Sequence, residues 1–517
     1  MRGNWCFCSA YRGGMTDTGR AENGTAGTSD TAADTGTWDV VVIGGGPPGE
    51  VAAQYAIQGS DRTAVIVEAE LVGGECSYWA CMPSKALLRP VEVLQDARTM
   101  PGVASLVEDR KIDVAAVLAR RDSFTHRRDD TSQVDWATGA GIDVVRGHGR
   151  LTGVRTVSVT AADGSVRTLT ARHAVILATG TTASVPNTPG LAEALPWTSR
   201  DVTNLQEIPG RVAVLGGGVV ACEAASWLQG LGAEVTVIQR GPSLLAKNEP
   251  FAGELVAARF EERGVRVLLG TAVSRVHRAS PEATGYGRIH GGPVDLQVGD
   301  EAITVDEIVV AAGRTPASAD LGLDTVGLPA SGYVAVDDHL TVKGVGGEWL
   351  YAVGDLNGRA LLTHMGKYQA RICGAVITAR AEGTSLTSLP AVNRYTDIAD
   401  HRQVPQVAFS DPEVASVGLT ESEARTAELD TETVEYDLGA LAGTSLLRDG
   451  YSGRAKLVID RATDTLVGAT FVGPGVAELV HAATVAVVGK VPLETLWHVV
   501  PSYPTMSEIW LRLLESR

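Results

Sequence analysis

Aromatic residues make up only 5% of this 517-residue chain, too few for the Tyr- and Trp-rich strands of a β-sandwich. Long apolar runs are missing as well. No stretch approaches the roughly 18 consecutive apolar residues of a membrane span, and the N-terminus lacks the apolar core of a secretory signal. Positive charge is also scarce: 44 Lys and Arg stand against 61 Asp and Glu, a net charge of −17. That balance repels phosphate backbones and anionic lipids, so neither nucleic acid nor a membrane surface is an expected partner. There are only six cysteines. Cys76 and Cys81 lack the further Cys or His ligands of a zinc site, and Cys6 and Cys8 have no third or fourth ligand nearby, so no metal is expected. These absences point to a cytoplasmic protein, in which a lasting structural disulfide is not expected.

What is present is glycine and small apolar residues. With 59 Gly and 44% apolar content, the chain suits an α/β protein of Val- and Ala-rich strands and tight turns, and its length suggests about three or four domains. Residues 1–37, Gly/Thr/Asp-rich and holding Cys6 and Cys8, show no apolar period and read as a disordered tail. Order begins at "WDVVVIGGGPPGEVAAQYAIQ". Val40 to Ile43 form a β-branched run fit for a buried parallel strand, followed by Gly44, Gly46 and Gly49 and a helical pattern whose first turn tolerates Pro47 and Pro48. A second strand, "AVIVE", ends in Glu68, about 24 residues after Gly44. In this arrangement the glycines let the backbone approach a pyrophosphate at the helix N-terminus, and the acid accepts hydrogen bonds from ribose hydroxyls.

The pattern recurs in "RVAVLGGGVVACEAASWLQGLGAEVTVIQR", with Gly216 and Gly218 in the first two positions and Ala221 in the third. Its second strand ends in Gln239 and Arg240 instead of an acid. A cation there can face a 2′-phosphate, which tilts this second dinucleotide site towards NADP. Further short strands run into glycine turns at Gly180 of "HAVILATG" and Gly313 of "DEIVVAAGRTP", and "EWLYAVGDLNG" ends in Asp355. The Gly-rich stretch around residues 280–300 reads as a surface hairpin or loop, and from about Arg394 a longer α+β texture marks a separate C-terminal domain.

Cys76 and Cys81 lie in "GGECSYWACMPSK". A zinc site lacks further ligands, and a structural staple would close a trivial loop in a reducing compartment. The redox reading remains. Pro83 fits only the first turn of a helix, so that helix should start near Cys81 and place its sulfur at the positive end of the dipole, where a thiolate is stabilised. On a regular helix, residues five apart point about 140° from each other, so bridging them requires a distorted turn. Lys85 adds a cation one helical turn further on. Cys222 and Cys373, in apolar surroundings, read as core residues.

"GGECSYWACMPSK" resembles the redox signature of the class I FAD-dependent pyridine nucleotide–disulfide oxidoreductases, the family of dihydrolipoamide dehydrogenase, glutathione and mycothione reductases and mercuric reductase. The likeness runs from about Trp38 to the C-terminus through "VVVIGGGPPG", "GGGVVACE", "AAGRTP", "YAVGD" and "FSDPEVASVGLTESEA". It implies two Rossmann-like domains for FAD and NAD(P) and a C-terminal α+β dimerisation domain: 38–195 for FAD and the cysteine pair, 196–317 for NAD(P), 318–393 returning to the FAD-binding and central domain, and 394–517 for dimerisation. By resemblance, Gly44, Gly46, Gly49 and Glu68 hold the adenosine half of FAD, and Asp355 contacts its ribityl and phosphate region. Cys81 is the thiolate against the flavin, Cys76 exchanges with substrate, and Lys85 pairs with Glu223 beside the ring. The implied enzyme is a homodimer passing electrons between NAD(P)H, flavin and the Cys76–Cys81 disulfide, acting on a small-molecule disulfide or dithiol.

One position departs from the family. The His of its C-terminal His-Pro-Thr segment is the acid/base for the substrate thiol, oriented by a Glu, but here Tyr503 of "SYPTMSE" takes the place of the His while Glu508 is retained. A phenol of pKa near 10 supplies about one part in a thousand of base at pH 7. His498, five residues earlier, reads as a surface or packing residue. Tyr at this place and Trp79 between the cysteines resemble soluble pyridine nucleotide transhydrogenase, and Tyr also resembles mercuric reductase. The alternative reading is therefore a flavin-dependent transhydrogenase, or a quinone or metal-ion reductase, in which the thiols are secondary. Tyr78 and Trp79 either narrow substrate access or pack beneath the flavin.

Overall fold

The computed structural model describes residues 35–517; residues 1–34 of the expected tail, with Cys6 and Cys8, lie outside them, while its last three residues, 35–37, belong to the strand Thr35–Ile43, so order begins earlier than the sequence suggests. The chain divides into two compact units.

The first contains the described residues up to 74, with 128–181 and 316–397. Its frame is a seven-stranded sheet whose strands Ile142–Arg146, Ala64–Glu68, Thr35–Ile43 and Val166–Leu177 lie side by side in parallel, with Leu350–Ala352 also parallel to Val166–Leu177. Two antiparallel strands, Thr156–Thr160 and His148–Gly153, finish one edge. Val40, Val41 and Val42 are fully buried, as are Val65 and Ile66, which explains why these strands read as continuous apolar runs with no alternation. The helix Pro47–Ile57 packs through Ala52, Ala53 and Ala56 into the same core as Ala370, Cys373 and Val376 of the helix Thr363–Ala381. Small residues permit this closeness: a Cβ on Gly374 would stand 2.5 Å from the Tyr55 side chain.

The second unit holds residues 75–127, 182–315 and 398–517. A four-stranded parallel sheet runs in the order Arg266–Leu269, Glu234–Gln239, Arg211–Leu215 and Glu307–Val310. A three-stranded antiparallel sheet, Val273–Arg278, Val294–Val298 and Glu301–Val305, accompanies it. The C-terminal part is a five-stranded antiparallel sheet with the helices Val480–Val488 and Glu508–Glu515. The segment bearing the cysteine pair groups with this unit. Its helix Cys81–Thr99 lies against the helix Val219–Gly230, where a Cβ on Gly230 would meet Val91 at 2.4 Å.

Candidate active site: the cysteine pair and the two glycine turns

In the first unit the turn after Val40–Ile43 is shaped by backbone contacts that exclude side chains. Gly44 has φ +104, and a Cβ on it would lie 2.4 Å from the Ala178 carbonyl oxygen; one on Gly49 would lie 2.0 Å from the Gly44 oxygen. Gly46 is different. It caps the helix Pro47–Ile57, and a Cβ there would meet nothing closer than 4.0 Å. The protein itself does not require Gly46 to be bare, whereas a pyrophosphate approaching the helix end does. Glu68 ends its strand beside this turn, accepting from Gly45 N–H at 2.7 Å and from Glu70 N–H at 2.7 Å. Burial pushes its carboxyl up, against those two hydrogen bonds. Asp355 accepts from Thr181 Oγ1 at 2.8 Å, and Gly180 has φ +70 with open space at its Cβ position. Donors, acid and open space fit the FAD that the motifs imply.

Sequence reasoning passed over Glu50, the residue after Gly49. It is buried in the first turn of that helix, and its Oε1 has no hydrogen-bond partner. Burial, with Glu68 nearby and Lys367 opposing, raises its pKa from 4.5 to about 7. The legible signal was an acid opening an otherwise apolar helix. The folded chain keeps this proton to higher pH than the unfolded chain does, so stability declines as pH rises from about 4.5 to about 7. Protein freed of FAD should therefore gain more from Glu50→Gln at pH 8 than at pH 4.5, by about 3 kcal/mol, as read from urea unfolding at the two pH values.

In the second unit the turn at Gly216 repeats this geometry: φ is +127, and a Cβ would stand 2.4 Å from the Ala311 oxygen, whereas at Gly218, which caps its helix, the Cβ position is open. Ala221 is buried in the third position. Gln239 lies over Gly217, so that a Cβ on the glycine would be 2.8 Å from the Gln239 side chain, and Arg240 is exposed. Gly313 has φ +135 and an open Cβ position.

The cysteines sit on two helices. Cys76 is buried in the short helix Gly74–Tyr78, and Cys81 opens the 19-residue helix Cys81–Thr99 at intermediate exposure. Between them Ala80 has φ −136 and ψ −93, a break that supplies the distorted turn expected from their spacing. Pro83 falls in the first turn, so Cys81 stands at the positive end of the dipole. Lys85 Nζ is 2.8 Å from Glu223 Oε2 and 3.0 Å from Oε1, and lies 4.7 Å from the Phe409 ring centre. Phe409 N–H donates to Glu223 Oε1 at 3.0 Å. The ion pair is thus fixed by a third element from the C-terminal sheet region. Tyr78 and Trp79 are both buried, while Cys222 and Cys373 are fully buried with thiol pKa values pushed up by desolvation.

Tyr503 is 75% exposed. Glu508 is buried, but its Oε1 is 2.6 Å from Arg512 Nη2 and its Oε2 has no hydrogen-bond partner. The acid in the place of the family's orienting Glu is committed to an arginine one turn along its own helix. His498 is exposed.

A family model described as pyridine nucleotide-disulphide oxidoreductase matches residues 38–383, and one described as the dimerisation domain of the same family matches residues 404–513. The chain is 30% identical to a dihydrolipoyl dehydrogenase of Chlamydia trachomatis over 92% of this chain and 95% of that protein. It is 27% identical to a mercuric reductase of Staphylococcus aureus over 92% and 81%. Among solved structures, the Cu(II) complex of the HOCl-induced flavoprotein disulfide reductase RclA of Escherichia coli aligns with TM-score 0.77 at 22% identity, covering 93% of this chain and 99% of that one. LpdA of Mycobacterium tuberculosis aligns with TM-score 0.76 at 24% identity, covering 93% and 99%. No described helix is long and apolar enough to cross a membrane.

Proposed function

Since the chain belongs to the pyridine nucleotide-disulphide oxidoreductases, enzymes that use FAD and NAD(P)H, we propose that Cys76 and Cys81 are its redox couple and that it interconverts a small dithiol and its disulfide. The observation that carries this reading is Cys81 at the start of its helix with the Lys85–Glu223 pair one turn beyond. When bound, FAD supplies the two-electron chemistry that links a nicotinamide to a disulfide. The protein's own groups do the remaining work. The glycine turns admit the pyrophosphates, Glu68 accepts from ribose hydroxyls, the helix dipole favours the Cys81 thiolate, and Glu223 holds the Lys85 ammonium in one place. Gln239, in place of an acid, and the exposed Arg240 support NADPH as the preferred nicotinamide.

We also read the enzyme as a cytoplasmic homodimer. The matched dimerisation domain supports the assembly, as do the exposed Trp497, Val499 and Val500 shortly before Tyr503, since apolar side chains left in water at this density mark an interaction surface.

A second reading, in which the acceptor is another nicotinamide, a quinone or a metal ion, is favoured by one observation: Tyr503 stands where the family has its acid/base, with Glu508 bound to Arg512. A steady-state screen with both nicotinamides against lipoamide, mycothiol and glutathione disulfides, quinones, Hg(II) and thio-NAD separates the two. Turnover of a disulfide above the other acceptors supports the first; quinone, metal or thio-NAD turnover alone would replace it with the second. A general base contributes about 10² to 10⁴ in rate, so Tyr503→His should raise kcat for lipoamide at pH 7 at least about tenfold, measured with the same nicotinamide.

A further inference from the structure

The Gly-rich stretch between the strands Val273–Arg278 and Val294–Val298 is held down along its length. Gly287 N–H donates to Asp201 Oδ1 at 3.4 Å and its carbonyl accepts from Gln206 N–H at 2.8 Å. Trp197 Nε1 donates to the Arg288 carbonyl at 2.8 Å, and His290 N–H to Glu307 Oε2 at 2.9 Å. Glu307 is itself fully buried and paired with the equally buried Arg278. At Gly287 the approach is too close for any side chain: φ is +70, and a Cβ would lie 2.3 Å from the Asn204 carbonyl oxygen.

This anchoring delivers Tyr286 to the loop between the two cysteines. Its ring centre is 5.0 Å from that of Trp79, tilted by 52°. The Arg200 guanidinium lies 4.9 Å from the Trp79 ring centre and bonds Glu75 Oε1 through Nε at 2.6 Å. Two neighbours secure the backbone of the same turn: Thr203 Oγ1 donates to the Trp79 carbonyl at 2.8 Å, and Asn204 Nδ2 to that of Tyr78 at 3.2 Å. The turn is thus gripped at Glu75, Tyr78 and Trp79, all within the six residues from Glu75 to the break at Ala80. Trp79 is 6% exposed while Tyr286 is 46% exposed, so Tyr286 contributes one ring face to the turn and little to the core.

We propose that Tyr286, with Arg200, is a positioning residue that holds the intercysteine turn and thereby sets the disulfide–dithiol equilibrium of Cys76 and Cys81. The proposal rests on the reading of that pair as the redox couple. An S–S bond between residues five apart forms only in a particular shape of the turn. Any freedom given to the turn spreads the two thiols over more arrangements, lowers their effective concentration for each other, and favours the dithiol. The contacts come from segments distant in the chain, so the same cysteine motif on a different loop would have a different potential.

The test is equilibration of the FAD-loaded protein in dithiothreitol buffers, with alkylation and mass spectrometry of Cys76 and Cys81. Each exchange breaks the protein S–S bond, forms the cyclic disulfide of the reagent and moves two hydrogens to the protein thiols. Tyr286→Ala should shift the equilibrium about tenfold towards the dithiol, about 30 mV for this two-electron couple, with FAD content and unfolding midpoint unchanged. Tyr286→Phe, which keeps the ring, should stay within about twofold of the unmodified protein. A Tyr286→Ala equilibrium within twofold of the unmodified protein, or a Tyr286→Phe shift as large as that of Ala, overturns the proposal while leaving the redox pair intact. If the unmodified protein shows no reversible couple at these cysteines, the underlying reading fails and this one fails with it.

Discussion

Gly49→Val protein should purify colourless. A Cβ at this position would fall 2.0 Å from the Gly44 carbonyl oxygen and 3.4 Å from the Ala178 side chain, so even one methyl group cannot be placed without separating the first strand from its helix. The Gly44 backbone on one side and the Ala178 methyl group on the other leave no flexible side chain to yield, and FAD content should drop to the detection limit while Gly139→Val, at an open position without a positive φ, leaves it unchanged. Flavin absorbance of the released cofactor per mole of protein measures both. A yellow Gly49→Val protein with normal FAD content would show that this turn is not where the cofactor's pyrophosphate lies.

The second large effect concerns the thiols. Cys76→Ser/Cys81→Ser protein should lose disulfide turnover by about 10⁴ or more, because a serine alkoxide is inaccessible at neutral pH and no other described cysteine can substitute. Cys222 and Cys373 are fully buried, with thiols pushed far from ionisation. The double variant should still bind FAD and still oxidise NADPH with a small one-electron acceptor, since the Gly44–Gly49 turn and Glu68 belong to a different unit of the chain and the Gly216 turn, though in the same unit as the cysteines, is built from backbone that a sulfur-to-oxygen change leaves intact. Stopped-flow and steady-state assays on the same preparation give both rates. Retention of most disulfide turnover would transfer the function to the second reading.

The parts of this site that were legible in the sequence are those that local backbone demands dictate. Gly44, Gly49 and Gly216 are glycine because a carbonyl oxygen occupies the space of a side chain, and the strands before them are unbroken apolar runs because both faces are covered. The start of the Cys81 helix was readable from Pro83, and the break before it from the spacing of the cysteines alone. The Lys85–Glu223 pair spans 138 positions. No periodicity connects such residues, and only family resemblance brought them together.

Where neither a local demand nor a resemblance existed, the sequence was silent. Arg200 meets Glu75 across 125 positions, and Tyr286 reaches Trp79 from a stretch that reads as a featureless surface loop. Glu508 illustrates the reverse case. Its place is that of the Glu that orients the family's His, but Arg512 lies one turn along the same helix, where an i, i+4 pair is geometrically favoured, and it takes the carboxylate.

The central claim, that this flavoenzyme stores a second electron pair on Cys76 and Cys81, is tested most directly by anaerobic dithionite titration of the FAD-loaded protein. Uptake of about four electrons per FAD in the unmodified protein, falling to two in Cys76→Ser/Cys81→Ser, is the predicted result, one pair for each two-electron centre. Uptake of only two electrons by the unmodified protein, with both cysteines still open to alkylation before any reductant is added, would contradict it.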